Sequence, residues 1–166
     1  METIKAKNTP QKRSEAIELL RGAMEHRGTW MYLLMDEARK QGLSWDDFAR
    51  KAIFRCGRFH GEAKFSDREN LKNFGESFAT PALREVFDMD VVECSEERFI
   101  VEFHHCPLLT GWMKQTDNKE DIQKLCDIAM DGDRGIIDTC SGFHFDLQST
   151  IACGDDVCRI VISKES

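Results

Sequence analysis

At Met89 the spacing of the apolar residues changes, and this change limits the fold more than any other feature of the chain. Upstream, apolar positions recur every three to four residues. Ser14, an N-cap candidate, precedes Ala16, Ile17, Leu20, Ala23 and Met24. Leu33, Leu34 and Ala38 mark a second helix over 30–41, and the Ser44/Asp47 capping pair opens a third with Phe48, Ala49, Ala52, Ile53 and Cys56. Gly28, Gly42 and Gly57 are read as their stops. His60 and Gly61 then fall in a loop, a short helix covers 67–78, and Thr80-Pro81 starts another that runs to about Phe87.

Downstream the period is two. Val91 and Val92 begin a strand that ends near Cys94, 95–97 reads as a hairpin turn, and 98–105 alternates until Pro107 stops the pairing. One side carries Phe99, Val101, Phe103 and His105; the other carries Arg98, Ile100, Glu102, His104 and Cys106. Asn118 caps a helix with Ile122, Leu125, Cys126 and Ala129 inward, ending before Gly132. Alternation returns over 142–152, with Phe143, Phe145, Leu147 and Ile151 opposite His144, Asp146, Gln148 and Thr150. After the turn at 154–156, a fourth strand closes the chain at 157–162. The expectation is an α+β fold: N-terminal helices packed on a four-stranded antiparallel sheet, with a helix between strands two and three. Residues 1–166 form one domain, with 1–12 as a frayed tail.

Charge narrows the partners. With 30 acidic against 23 basic residues and a net charge of −7, the chain offers no basic footprint for nucleic acid. It has no apolar run of membrane-spanning length and no export signal, so no membrane is expected and the location is read as cytoplasmic. Seven irregularly spaced cysteines fit reduced thiols better than a disulfide framework.

Three of the five histidines lie in or at the ends of the later strands. His104 and His105 adjoin Cys106, which brings a base near a thiol; the alternative for Cys106 is a buried small hydrophobe. His144 and Asp146 point to one side of their strand as base and orienting carboxylate, or as part of a solvated face that Gln148 and Thr150 continue. All five are competent metal ligands, yet neither CxxC nor HExxH spacing is present, so no metal and no cofactor are assigned. Asp155 follows Gly154 in a position suited to bonding nearby backbone N–H groups.

The ordered set His105-Cys106-Pro107-Leu108, Leu125-Cys126, Gly132-Asp133-Arg134-Gly135, and Thr150 followed by Gly154-Asp155-Asp156-Val157-Cys158 resembles the L-2-amino-thiazoline-4-carboxylic acid hydrolase family. The ending Gly-Asp-x-x-Cys is also similar to the 4-vinyl reductase domain. The first resemblance implies a bacterial cysteine-producing step, in which a thiazoline ring opens to N-carbamoyl-cysteine. Within that reading Cys106 is nucleophile or acid and His104 or His105 is the base. His144 and Asp146 orient water or substrate, Arg134 holds the substrate carboxylate, and Thr150 and Asp155 add substrate contacts. The second resemblance implies a non-catalytic small-molecule-binding domain. Either way the partner is a small molecule, with a homo-oligomer compatible.

Overall fold

Ser14 sets the first boundary: its side chain accepts the Ile17 N–H, and the chain enters α1 (Glu15–Lys40), with acids in the first turn and cations in the last as the helix dipole favours. The structure, a computed structural model, describes residues 2–164. The two helices expected at 14–28 and 30–41 are one. Gly28 is buried, and a Cβ there would stand 2.8 Å from the Leu108 carbonyl oxygen, so this glycine admits a neighbouring helix instead of ending its own. Gly42, at φ 82°, makes the actual stop.

Ser44 caps as expected, accepting the Asp47 N–H at 3.1 Å. A π-helical turn (Asp46–Arg50) then leads without a break into α2 (Lys51–Lys64), so His60 and Gly61 are helical and Gly57 is not a stop. A Cβ on Gly57 would fall on the backbone of Gly132 and Gly135, which marks another place where two helices touch through their main chains. Asn70 caps α3 (Leu71–Phe78), and Thr80 caps α4 (Pro81–Val86) with the proline in its first turn.

β1 (Met89–Cys94) and β2 (Arg98–Phe103) form the hairpin read from the sequence. Three helices follow where one was expected: α5 (Pro107–Met113), α6 (Lys119–Ala129) and α7 (Asp131–Ile137). Pro107 ends the strand and also opens α5, since its fixed φ suits a first helical position. β3 (Phe143–Ser149), a 3-10 turn (Ile151–Cys153) and β4 (Cys158–Lys164) complete the sheet in the order β1-β2-β4-β3, antiparallel throughout. The fold is α+β, with the N-terminal helices and the helices between β2 and β3 set against a four-stranded antiparallel sheet.

The two faces of the sheet differ. Phe99, Val101, Phe143, Ile160 and Ile162 are buried with Phe65, Leu71, Phe74 and Ile137 from the helical side. Phe74 meets Phe143 and Phe99 edge-on, at 5.8 and 6.3 Å between ring centres. The opposite face holds Arg98, His144, Asp146 and Gln148, all exposed, with Arg159 paired to Glu102. No helix covers it. A second core, of Met35, Trp45, Leu109, Trp112, Ile122, Leu125, Ile128 and Ile151, joins α1 to α5 and α6.

Residues 2–12, expected as a frayed tail, run as a strap fastened along its length. Ile4 N–H donates to the Asp117 carbonyl at 3.1 Å, Asn8 bonds the Cys106 backbone, and the N–H groups of Gln11 and Lys12 reach the Asp88 carboxylate at 2.7 and 3.2 Å. Arg21, 2% exposed, locks the same corner by donating to Val86 O and Glu85 O at 2.9 Å and pairing with Asp88 at 3.3 Å. Apart from the Asn8 side chain, the strap makes these bonds through its backbone, which hydropathy does not register. Among the described residues, no helix is long and apolar enough to cross a membrane.

Candidate functional site

The expected site residues divide between the two sides of the sheet. His144 and Asp146 stand on the open face, where Asp146 accepts from Gln148 at 3.1 Å. His104 is on that face too, its Nε2 3.1 Å from an Asp90 carboxylate oxygen. Cys106 lies beyond β2 on the helical side and packs against the second core. The structure therefore brings His144, Asp146 and His104 to one surface and Cys106 to another, with no common hollow. His105 is buried as the alternation predicted. Its Nδ1 is 3.1 Å from the Asn8 carbonyl oxygen, and burial lowers its pKa, so the ring is neutral at physiological pH and faces the strap.

The motif segments do converge, around Cys106. This residue is extended (φ −128°, ψ 109°) and caps α5, with Pro107 in the first turn. Asn8 holds its backbone from both sides: Cys106 N–H donates to Asn8 Oδ1 at 2.7 Å and Asn8 Nδ2 donates to Cys106 O at 2.9 Å. Burial pushes the thiol pKa up, while the N–H groups of Leu109 and Leu108 and the charge of Arg27 oppose that push. Cys126 of α6 is raised well above the usual thiol range, first by burial and then by the neighbouring Cys158, Cys106 and Cys153, with a Thr150 hydrogen bond opposing. Cys158, at the start of β4, is pushed up to about 12 by burial, and its Sγ accepts the Ile151 N–H at 3.3 Å. These enclosed groups are thiols at neutral pH.

The ionisable member of the cluster is Asp133, in the first turn of α7. Burial raises its carboxyl to about 6 against the contrary pull of Arg27 and Arg134, and Asp133 in turn acts on Cys106. It lines an apolar seam between α7 and the sheet, with Phe99, Val101, Phe145 and Ile160 among its neighbours. The seam holds about 230 Å³ of empty space but is too thin to admit a water-sized sphere. A separate hollow of about 470 Å³ lies outside the 3-10 turn, bounded by Lys5, Lys119, Cys153 and Gly154. Cys153 is in its lining, and neither Cys106 nor Asp133 is.

Arg134, expected to hold a substrate carboxylate, is already engaged. It donates to Asp131 at 2.6 Å, to Asp127 at 3.2 Å and to the Asp127 carbonyl at 3.0 Å, while its guanidinium stands over Phe145. Thr150 and Asp155 brace the turn: Thr150 N–H donates to Asp155 Oδ2 at 2.9 Å, and Thr150 Oγ1 accepts the Cys153 N–H at 3.1 Å. Arg27, by contrast, is exposed and makes no hydrogen bond or ion pair among the described residues, although it acts electrostatically on both Cys106 and Asp133. The sequence reading passed over Asp133 and Arg27. The signal for Asp133 was present in Gly132-Asp133-Arg134-Gly135, where the arginine drew attention and the acid beside it faces inward. Among the described residues, no three His, Cys, Asp or Glu side chains are arranged to hold a metal ion.

A family model described as L-2-amino-thiazoline-4-carboxylic acid hydrolase matches residues 14–162. Among curated proteins none matches. Among solved structures the chain is similar to a crystal structure of a trafficking protein particle complex subunit 3 from Naegleria fowleri covalently bound to palmitic acid. The identity is 17% over 92% of this chain and 84% of that one, with a TM-score of 0.42. A likeness this distant carries no argument about what the chain does.

Proposed function

The chain belongs to the L-2-amino-thiazoline-4-carboxylic acid hydrolase family, and from that premise we propose that it opens a small cyclic amidine, such as 2-amino-thiazoline-4-carboxylate, to N-carbamoyl-cysteine. One observation carries the reading. The segments that make up the family resemblance, distant in sequence, come near enough for Asp133 to act on Cys106 and for Cys106 to act on Cys126 and Cys158, with Asp133 alone of these four lining the seam beneath α7.

The reaction needs a proton removed from water and a proton delivered to sulfur. Water adds through oxygen to ring carbon 2 as the C2=N3 π pair moves to the ring nitrogen. The second water proton passes to that nitrogen, and the urea carbonyl forms as the carbon–sulfur bond breaks and the sulfur leaves as a thiolate. A carboxyl with a pKa of about 6 is ionised often enough near neutrality to accept the water proton. It is also basic enough to hold that proton until the sulfur departs and takes it. Cys106, kept protonated by burial and outside the lining of the seam, is not a resting nucleophile. Arg27, unpaired and cationic, takes the substrate carboxylate in the place first given to Arg134. Because the seam is closed, α7 must move away from the sheet to admit the ring. His104, His105, His144 and Asp146 have no part in the scheme.

A thiol-release assay with 2-amino-thiazoline-4-carboxylate tests this reading. Turnover by the unaltered chain is expected, falling at least a hundredfold in Asp133→Asn and unchanged in His144→Ala. Full turnover in Asp133→Asn removes the assignment. The apolar lining of the seam favours one second reading, a non-catalytic binding domain; thermal stabilisation by the compound without thiol release would select it.

A further inference from the structure

α1 buries one side against α5 and leaves the other to solvent, and that outer side is not polar. Leu19, Trp30 and Leu34 are 71%, 62% and 57% exposed, and Leu20 and Leu33 are also largely open. With 100° between successive residues they fall, together with Ala23, within about 140° of arc. At 1.5 Å per residue the stripe from Leu19 to Leu34 is about 22 Å long. Other exposed large apolar residues, such as Phe48, Val92 and Met113, lie on different elements.

We propose that this stripe is a two-fold interface with a second copy of the chain, the two α1 helices packing antiparallel. The order of side chains is self-complementary about a point between His26 and Arg27. That axis brings Leu19 beside Leu34 of the second copy and the small Ala23 beside the large Trp30 along the midline, with Leu20 and Leu33 on the two opposite margins. Large opposite small is what lets two helices interdigitate. The stripe's margin agrees: Glu15, in the first turn, comes beside Lys40, in the last turn, of the other copy, and the helix dipoles oppose. His26, its ring 5.6 Å from the Trp30 ring, and Arg27 flank the midline on opposite sides next to the axis. The five large side chains expose on the order of 600 Å² per copy, so their pairing removes about 1,200 Å² from water, above the roughly 1,000 Å² that a specific interface needs. A lipid surface suits the stripe less well, because Glu15, Glu18 and Glu37 border it on a chain of net charge −7.

The inference does not depend on the hydrolase reading. Sedimentation velocity from low to high micromolar concentration is expected to give a particle of two 19.1 kDa chains. Leu34→Glu and Ala23→Arg, both on the outer side of α1, are expected to leave the thermal unfolding profile in place and shift the particle to one chain. Val92→Glu, an equivalent change on the open sheet face, is expected to remain two chains. A wild-type chain that is monomeric throughout overturns the proposal, as does a dimer that survives both α1 substitutions or dissolves with Val92→Glu. A monomer that co-sediments with phosphatidylcholine–phosphatidylglycerol vesicles overturns it in favour of lipid.

Discussion

Asp133 and Arg21 show opposite ways of burying a charge. At Asp133 the cost of burial outweighs the pull of Arg27 and Arg134, neither of which pairs with the carboxyl, so its pKa rises from 3.8 to about 6 in the folded chain. For an acid this sign means that the folded state binds the extra proton, so stability falls as pH rises from about 4 to about 6 and stays lower above that. Asp133→Asn is therefore expected to raise stability at neutral pH by about 1–2 kcal/mol while removing turnover, with urea midpoints and the thiol-release rate as the two measurements. The wild-type rate is expected to climb as pH rises through about 6, in step with ionisation of the base. Arg21 is the contrary case, every arm of its guanidinium being used by carbonyls or carboxylates. A lysine keeps the charge but cannot reach these acceptors, so Arg21→Lys is expected to cost about 2–4 kcal/mol, read from the same urea midpoints.

Among the elements, the α2/α7 contact makes the sharpest demand on sequence. Gly57 lies against the main chain of Gly132 and Gly135, and Gly135 against that of Phe54, so one added methyl group must push two helices apart. Gly57→Ala is expected to destabilise by about 3 kcal/mol in chemical denaturation. At Gly22, exposed in α1 with nothing within 4 Å of where an added methyl group would stand, alanine is expected to stabilise by up to about 1 kcal/mol through its helix propensity. This pair explains what could be read in the chain and what could not. The caps at Ser14, Ser44, Thr80 and Asn118 are local chemistry and were legible, as was the change of period at Met89, whereas the short helix read from 67 is capped by Asn70, which was not named. Gly28 and Gly57 were read as stops because a stop and a close approach demand the same residue, and only the neighbouring helix tells them apart. α7 escaped for the same reason, its glycines serving α2. Alternation identified both faces of β2 and β3, and the apolar face is the covered one, but β2 ends at Phe103, so alternation carried on to Cys106 set it beside His104 on the wrong side. That left His144 and Cys106 assigned to one hollow when they stand on opposite sides.

At the scale of the whole molecule, the strap ties the parts together. It bonds to Asp117 before α6, to Cys106 before α5 and to Asp88 before β1, so removing residues 2–12 is expected to lower the melting temperature and to speed the reaction of Cys106 with a thiol reagent. Melting by circular dichroism and the labelling time course measure the two effects. The same enclosure has a use. Cys56 and Cys153 are exposed and are expected to react first, the half-buried Cys106, Cys126 and Cys158 later, and the buried Cys140 last, when the fold opens around it. Native thiols at known depths thus act as clocks within the chain: each lag reports the opening free energy of its own neighbourhood, with no label introduced by mutation.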